Sequence, residues 1–274
     1  MAFQEATTVL RYFGSKAMLA KKINSFVPKH HCWVDVFGGT GSLTIARKPS
    51  RVEVFNDKDG DLVNFYLMLR KHKEQLIDDL ASLPTSRLLY ERWQREPLPE
   101  DPYERAIRYF YLLRQSIIPT PNQPSGFRGS KIKNAALDYQ NAVAKLDAFE
   151  KRFRSVLIEC LDFREVITRY DGPDVFFAID PPYVGREDCY KCGFQYEDHV
   201  ELAYLLRHIE GKCLVTYYGD PLVLELYQGW HCVKLDAKVG AVVKASLGQK
   251  RRVGTEYLFM NYVPERAEQQ ISFF

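Results

Sequence analysis

The stretch Val175–Tyr183 reads VFFAIDPPY. Five apolar residues bounded by turn formers match a strand buried on both faces, the usual condition of a parallel sheet. In open α/β sheets ligands bind beyond the carboxyl ends of the strands, which is where Asp180, Pro181, Pro182 and Tyr183 fall. The two prolines fix φ and remove two backbone donors, so the turn is stiff and the Pro181 carbonyl has a set direction. An anionic oxygen, an outward carbonyl and an aromatic ring side by side suit a flat conjugated amine. The amino group of a base is a poor nucleophile because its lone pair is delocalised into the ring. Two acceptors on its hydrogens, the Asp180 carboxylate and the Pro181 carbonyl, draw it toward tetrahedral geometry and free that lone pair. Tyr183 is suited to stack on the base face. The plainer alternative is a strand ending in a turn with a capping aspartate.

Upstream, HCWVDVFGGTGSLTIARK places a strand at 32–37, a glycine turn at Gly38–Gly41 and a helix from Ser42 to Arg47. Glycines at such a turn let backbone approach a ligand, and a helix amino terminus favours anions. A second strand, 51–55, ends at Asn56 and Asp57, about twenty residues on, where an acidic residue commonly holds ribose hydroxyls. This is a nucleoside-cofactor half-site compatible with NAD or S-adenosylmethionine, and GGTG is shorter than the full GxGxxG fingerprint.

Between Asp57 and the VFFAIDPPY strand the periodicity turns helical. Apolar residues recur at helical spacing from Leu62 to Leu80, from Pro102 to about Ile117, and from Asn134 to Arg154. The segment IIPTPNQPSGFRGSK, with three prolines and two glycines, reads as an exposed loop. Strand and helix signals then alternate again: a strand at 155–160, a helix from Arg164 to Tyr170, the VFFAIDPPY strand, a helix from Val200 to Glu210, and strands at 212–218, 230–235 and 255–263. Near the start, a short helix is expected over 17–26. The alternation predicts a doubly wound α/β fold, with a catalytic domain formed by residues 1–61 and 156–274 and a helical insertion at 62–155.

The composition, 46% hydrophobic and 27% charged over 274 residues, is that of a globular chain. No apolar run is long enough to span a bilayer, and MAFQEATTVLRYFGSK has no signal-peptide core, so a cytoplasmic protein with no membrane partner is expected. The six cysteines are scattered, and reduced thiols are expected. Cys189 and Cys192 form a lone CxxC with only His199 nearby, short of a zinc ligand set, so no metal is expected. Charge is uneven. Residues 62–155 hold 16 Lys and Arg against 11 Asp and Glu, and Arg105, Arg108, Arg114, Arg128, Lys131 and Lys133 follow one another with no acidic residue between them. A basic run is commonly a solvated face, but one this long without counter-charge suits a polyanion, and nucleic acid is the expected partner.

In this order, RYFGSK (Arg11–Lys16), VDVFGGTGS (Val34–Ser42), an acidic residue after the second strand, a helical insertion, LDF (Leu161–Phe163), DPPY (Asp180–Tyr183) and TEYLFMNY (Thr255–Tyr262) resemble the Dam-like, alpha-group family of DNA adenine methyltransferases. The resemblance covers nearly the whole chain. It implies a class I S-adenosylmethionine-dependent methyltransferase, a Rossmann-like α/β sheet with a mainly helical inserted target-recognition domain. It implies S-adenosylmethionine as cofactor, held by Tyr12, Lys16, Asp35, Phe37, Gly38, Gly39, Gly41, Asp57, Asp162 and Phe163. It further implies Asp180, Pro181, Pro182 and Tyr183 as catalytic residues, double-stranded DNA as partner, transfer to the 6-amino group of a flipped adenine, and a bacterial or phage-infected cell as host. The basic residues of the insertion are expected to contact DNA, although PTPNQPSGFRGSK aligns with no recognition hairpin of the family and names no target site. The other classes compatible with the residues are methylation of an RNA base or other planar amine, and a catalytically silent DNA-binding subunit. The last six residues, Gln269–Phe274 (QQISFF), resemble the short peptide with which bacterial DNA enzymes dock onto the sliding clamp; an apolar tail packed on its own domain is the alternative.

Overall fold

The computed structural model describes residues 7–119, 125–191, 193–238 and 253–265. Seven strands form one sheet: β1 Cys32–Asp35, β2 Val52–Asn56, β3 Leu157–Glu159, β4 Val175–Ile179, β5 Lys212–Tyr218, β6 His231–Lys238 and β7 Val253–Met260. Their order is β3-β2-β1-β4-β5-β7-β6. β7 runs antiparallel to both neighbours, and the other pairings are parallel. This mixed α/β sheet agrees with the fold that the resemblance implies.

The unbroken apolar character of β4 follows from its place between β1 and β5. Successive side chains point to opposite faces. Phe177 and Ile179 enter a core with α9 (Phe163–Tyr170) and α10 (Tyr196–Leu206), while Phe176 and Ala178 enter another with Trp33, Leu214 and Leu258. Both faces are covered, so neither tolerates a polar residue.

Six helices lie between β2 and β3 in the chain: α3 Gly60–Lys71, α4 Lys73–Ser82, α5 Arg87–Arg95, α6 Pro102–Gln115, α7 Ala135–Val143 and α8 Leu146–Phe153. Aspartate caps two of them by accepting backbone N–H groups, Asp59 from Asp61 on α3 and Asp101 from Tyr103 and Glu104 on α6. Their shared core is joined to the sheet through Phe55 of β2, whose ring meets Tyr66 and Phe153 edge to face.

Several elements differ from expectation. The helix expected over 17–26 is confined to α1, Ala20–Asn24, whose amino terminus has no side-chain cap. The helix after the glycine turn is the single turn α2, Ser42–Ile45. The single helix expected from Asn134 to Arg154 is two, α7 and α8, joined at Ala144 and Lys145. α11, Pro221–Leu226, begins at Asp220-Pro221, an aspartate cap followed by proline that is a legible start signal. Ser116 pairs antiparallel with Phe127, the Ile117 N–H donates to Gly126 O (2.9 Å), and the Arg128 N–H donates to Gln115 O (2.7 Å). The loop read from its prolines is therefore closed at its base like a hairpin. No helix among the described residues is long and apolar enough to cross a membrane.

Candidate active site

Strand order reverses direction between β1 and β4, so their carboxyl ends open side by side. One residue ties the floor together. The Asn56 amide donates to Val36 O (2.9 Å) and Leu161 O (3.1 Å) and accepts from Leu161 N–H (2.8 Å), joining the segments after β1, β2 and β3. Gly38 and Gly41 admit no side chain, because a Cβ would stand 2.1 Å from the Phe55 ring and 2.6 Å from the Phe153 ring. The Gly39 N–H donates to Asp57 Oδ2 (2.8 Å), and Asp57 Oδ1 accepts from Asp59 N–H (2.9 Å). Burial pushes the Asp57 carboxyl up to about 7.

Gly38, Gly39, Asp57 and Asp59 line a cleft of about 570 Å³, open to solvent, that also includes Tyr12, Lys16, Phe37 and Asp180. A second hollow of about 280 Å³ adjoins it, sharing Phe37 and Lys58, and is walled by Asp162, Phe163 and Phe194. Asp162 caps α9 and accepts from Lys58 Nζ (2.7 Å) and Arg164 Nη1 (2.9 Å). Burial opposes ionisation of Asp162, but those two cations outweigh it and hold the carboxyl below its ordinary value. Of the ten residues the resemblance assigns to the cofactor, Gly41 and Asp35 line neither hollow, and Asp35 is set apart by its contacts. It is 1% exposed, lines neither hollow, and accepts from the Thr44 hydroxyl (2.7 Å), which in turn accepts from Trp33 Nε1 (2.9 Å). Its carboxyl is pushed up to about 8 by burial. Asp35 braces α2 from beneath and corrects the expectation of a cleft-lining ligand.

At the end of β4 the contacts of Asp180 converge on one oxygen. Oδ1 accepts from Thr216 Oγ1 (2.6 Å) and Lys16 Nζ (2.8 Å), and Tyr183 Oη lies at 3.4 Å. No hydrogen bond to Oδ2 is made among the described residues. Lys16 donates also to Gly14 O (3.0 Å), stands 3.6 Å from Glu256 Oε1, and lies over the Tyr183 ring at 4.7 Å. Tyr183 is 8% exposed, its ring against Tyr217 and Tyr218, and its hydroxyl donates to Glu256. Burial by itself lowers the Lys16 ammonium, yet Asp180 and Glu256 outweigh it and hold the group above its ordinary value. Burial first, then the Asp180 charge, pushes the Tyr183 phenol far up.

Sequence reasoning did not single out Thr216 or Glu256. A signal existed for each: a hydroxyl within CLVTYY and a carboxylate within TEYLFM are polar groups inside apolar strands, and buried polar groups need partners. The loop after the DPPY turn borders the cleft through Tyr190 and Lys191. Tyr190 packs against Tyr12 and Phe13, and Lys191 pairs with Asp61 at 2.9 Å on the cleft rim.

The basic run is disposed differently from expectation. Arg105 donates to Asp61, and Arg108 donates to Pro97 O (2.6 Å) and pairs with Glu96. Arg114, 8% exposed, donates to Asp138 O (3.0 Å) and Oδ2 (2.8 Å), and Arg128 donates to the same carboxylate. The expected lack of counter-charge is corrected for the four arginines, which pair with acidic residues outside the run, and Arg114 is an interior group, not a surface one. Lys131 and Lys133 are exposed. The RYFGSK segment links this region to the cleft, since Arg11 donates to Ser116 O (2.6 Å) and Phe13 N–H to Pro119 O (3.1 Å), while Lys16 reaches Asp180.

Residues 12–240 match the profile of the D12 class N6 adenine-specific DNA methyltransferases. The chain belongs to that family. The type II methyltransferase M1.LlaDCHI of Lactococcus lactis subsp. cremoris is 26% identical over 92% of this chain and 94% of its own length. The DNA adenine methylase of Escherichia coli (strain K12) is 22% identical over 85% and 88%. The DNA N-6-adenine-methyltransferase of Escherichia phage P1 is 26% identical over 80% of this chain but only 31% of its own. The methyltransferase is thus an adenine-specific DNA-modifying enzyme, and the DPPY turn lies within the matched residues. Cys192 and Gln269–Phe274 lie outside the described residues.

Proposed function

We propose that this methyltransferase uses S-adenosylmethionine and that Asp180 Oδ2 and the Pro181 carbonyl receive the two hydrogens of the target amine. The observation that carries the reading is the one-sided hold on Asp180, whose Oδ1 accepts from the Thr216 hydroxyl while no described residue bonds Oδ2. A carboxylate anchored through one oxygen offers the other in a fixed direction, and such preorganised acceptors stabilise charge without reorganising during the reaction.

The residues fit the donor. The two adjoining hollows carry carboxylates at separate points, Asp57 and Asp162, with the Phe37 ring shared between them. Asp57 would hold ribose hydroxyls, and Asp162 with Phe163 would hold the adenine. When bound, the donor supplies a methyl group on an electrophilic sulfonium. Asp180 and Pro181 orient the amine lone pair toward it, and Tyr183 offers a ring face to the base. No covalent enzyme intermediate is required, so positioning and electrostatics supply most of the acceleration.

The helices between β2 and β3, with the paired stretches 115–117 and 126–128 and the exposed Lys131 and Lys133, would form the DNA-recognition unit on duplex DNA. A bacterial or phage-infected cytoplasm is the proposed setting. The peptide Gln269–Phe274 is proposed to dock on a sliding clamp, and deleting it should abolish clamp binding and leave methylation unchanged. The main test is transfer of label from tritiated S-adenosylmethionine to DNA, RNA and protein in parallel, followed by sequencing of the modified bases. Label in N6-methyladenine of DNA is expected. Label in RNA or protein alone would overturn the reading.

A further inference from the structure

The ammonium of Lys16 stands in two places that the target base is expected to use, on the Asp180 carboxylate and over the face of Tyr183. A cation there has two effects. It cancels the negative charge that makes Asp180 useful, and it repels the positive charge that moves from sulfur onto the amine as the methyl is transferred. A second carboxylate is within reach. Glu256, 2% exposed, lies opposite Tyr218 in the β5–β7 ladder, with Oε1 3.6 Å from Lys16 Nζ and accepting from the Tyr183 hydroxyl.

We propose that Glu256 is a positioning residue that takes up the Lys16 charge when the target amine engages Asp180, so that Asp180 faces the amine as an uncompensated anion. The inference rests on the reading of Asp180 given above.

The charge arithmetic is simple. With Glu256 ionised, the buried cluster of Lys16, Asp180 and Glu256 is net negative by one. Removing the Glu256 charge makes it neutral and leaves Lys16 with Asp180 alone. Electrostatic interactions are strong where water is excluded, so the loss acts on the transition state, where the amine turns cationic, more than on the ground state. Glu256 also fixes the phenol of Tyr183, and this second link makes a substitution that preserves shape essential to the test.

The experiment measures single-turnover methyl transfer by the full chain from saturating tritiated S-adenosylmethionine to DNA lacking adenine methylation. Donor affinity and thermal unfolding are measured beside it. Glu256→Gln keeps the volume and an acceptor for Tyr183 but loses the charge. A rate at least tenfold lower is expected, with donor affinity within about threefold of wild type. Glu256→Asp, which keeps the charge and loses reach, should be faster than Glu256→Gln; a packing role would rank them the other way. Adding Lys16→Met to Glu256→Gln removes the cation that pins Asp180, and the double variant should be at least threefold faster than Glu256→Gln alone. A wild-type rate in Glu256→Gln, or a double variant slower than the single, overturns the proposal. Should Glu256→Gln not fold, the Asp and Asn variants, equal in length and different in charge, give the same comparison. Asp180→Asn in the same assay separates the two readings. If it is slow while Glu256→Gln is normal, the role of Glu256 alone fails; if it is normal, both fail.

Discussion

The cleft at the ends of β1 and β4 and the basic run of 105–133 are both concentrations of charge, and they are built on opposite plans. In the cleft, charges are buried and held by partners from distant parts of the chain: Lys16 from the amino-terminal segment, Asp180 from β4 and Glu256 from β7. Two carboxylates there meet one ammonium, and burial raises the Glu256 carboxyl. In the basic run the imbalance narrows on folding, because Asp61, Glu96 and Asp138 pair with Arg105, Arg108, Arg114 and Arg128, Asp138 serving two of them, while Lys131 and Lys133 stay exposed. An unpaired charge costs most where water is least available, so the surplus charge that survives in the interior is more telling of chemistry than the surplus counted along a surface segment.

The largest expected effect bears on the cleft side of this contrast. Asp180→Asn keeps the shape of the turn and loses the anion, and methyl transfer should fall about a hundredfold, roughly 2.7 kcal/mol, in a single-turnover assay. A rate near wild type would mean that the interior charge is structural.

The next tests the opposite side. Arg114→Ala should act on stability before it acts on DNA, because it leaves Asp138 with Arg128 alone and empties an interior position. A loss of about 2 kcal/mol is expected, less than for a fully buried pair, because the Asp138 side chain is 44% exposed. That corresponds to a melting temperature lower by roughly 4–8 °C. Loss of DNA affinity at unchanged melting temperature would restore Arg114 to the DNA surface.

The third concerns protonation. Burial pushes the Asp57 carboxyl up to about 7. A ribose-holding role needs its charged form, so donor affinity should be near maximal at pH 8 and weaken about tenfold by pH 6 as the group takes up a proton. The same group has a sign for stability. Its folded value lies above its unfolded one, so its contribution is greatest below the unfolded pKa and declines as pH rises toward 7. Donor titrations by calorimetry across this range, repeated with Asp57→Asn, should show the dependence disappear; a pH-independent wild type would remove Asp57 from the donor site.

The smallest effect is at the exposed lysines. Lys131→Ala with Lys133→Ala should leave the melting point unchanged, weaken DNA binding about fivefold at low salt, and lower the salt slope by about 1.8, the value for two phosphate contacts. An unchanged slope would leave the recognition unit without its basic surface.

Much of the fold was legible. The apolar run of β4, the glycine turn after β1 and the alternation of strand and helix are local signals, whereas the order β3-β2-β1-β4-β5-β7-β6 is set by the tertiary structure. The break between α7 and α8 was not legible, because helical periodicity continues through it and the break depends on how Phe149 and Phe153 pack on Tyr66. Tyr183 was read correctly as an aromatic at the strand end, but its burial and its bond to Glu256 were out of reach of a local argument.

The sequence by itself determined which groups arrive at the carboxyl end of the central strand, because strand length, proline stiffness and glycine turns are set by near neighbours. Only the tertiary structure decided which of those groups are charged, paired or free to act. Pairing joins residues far apart in the chain, Lys16 to Asp180 and Glu256, Arg114 to Asp138, and depends on burial that no single segment creates.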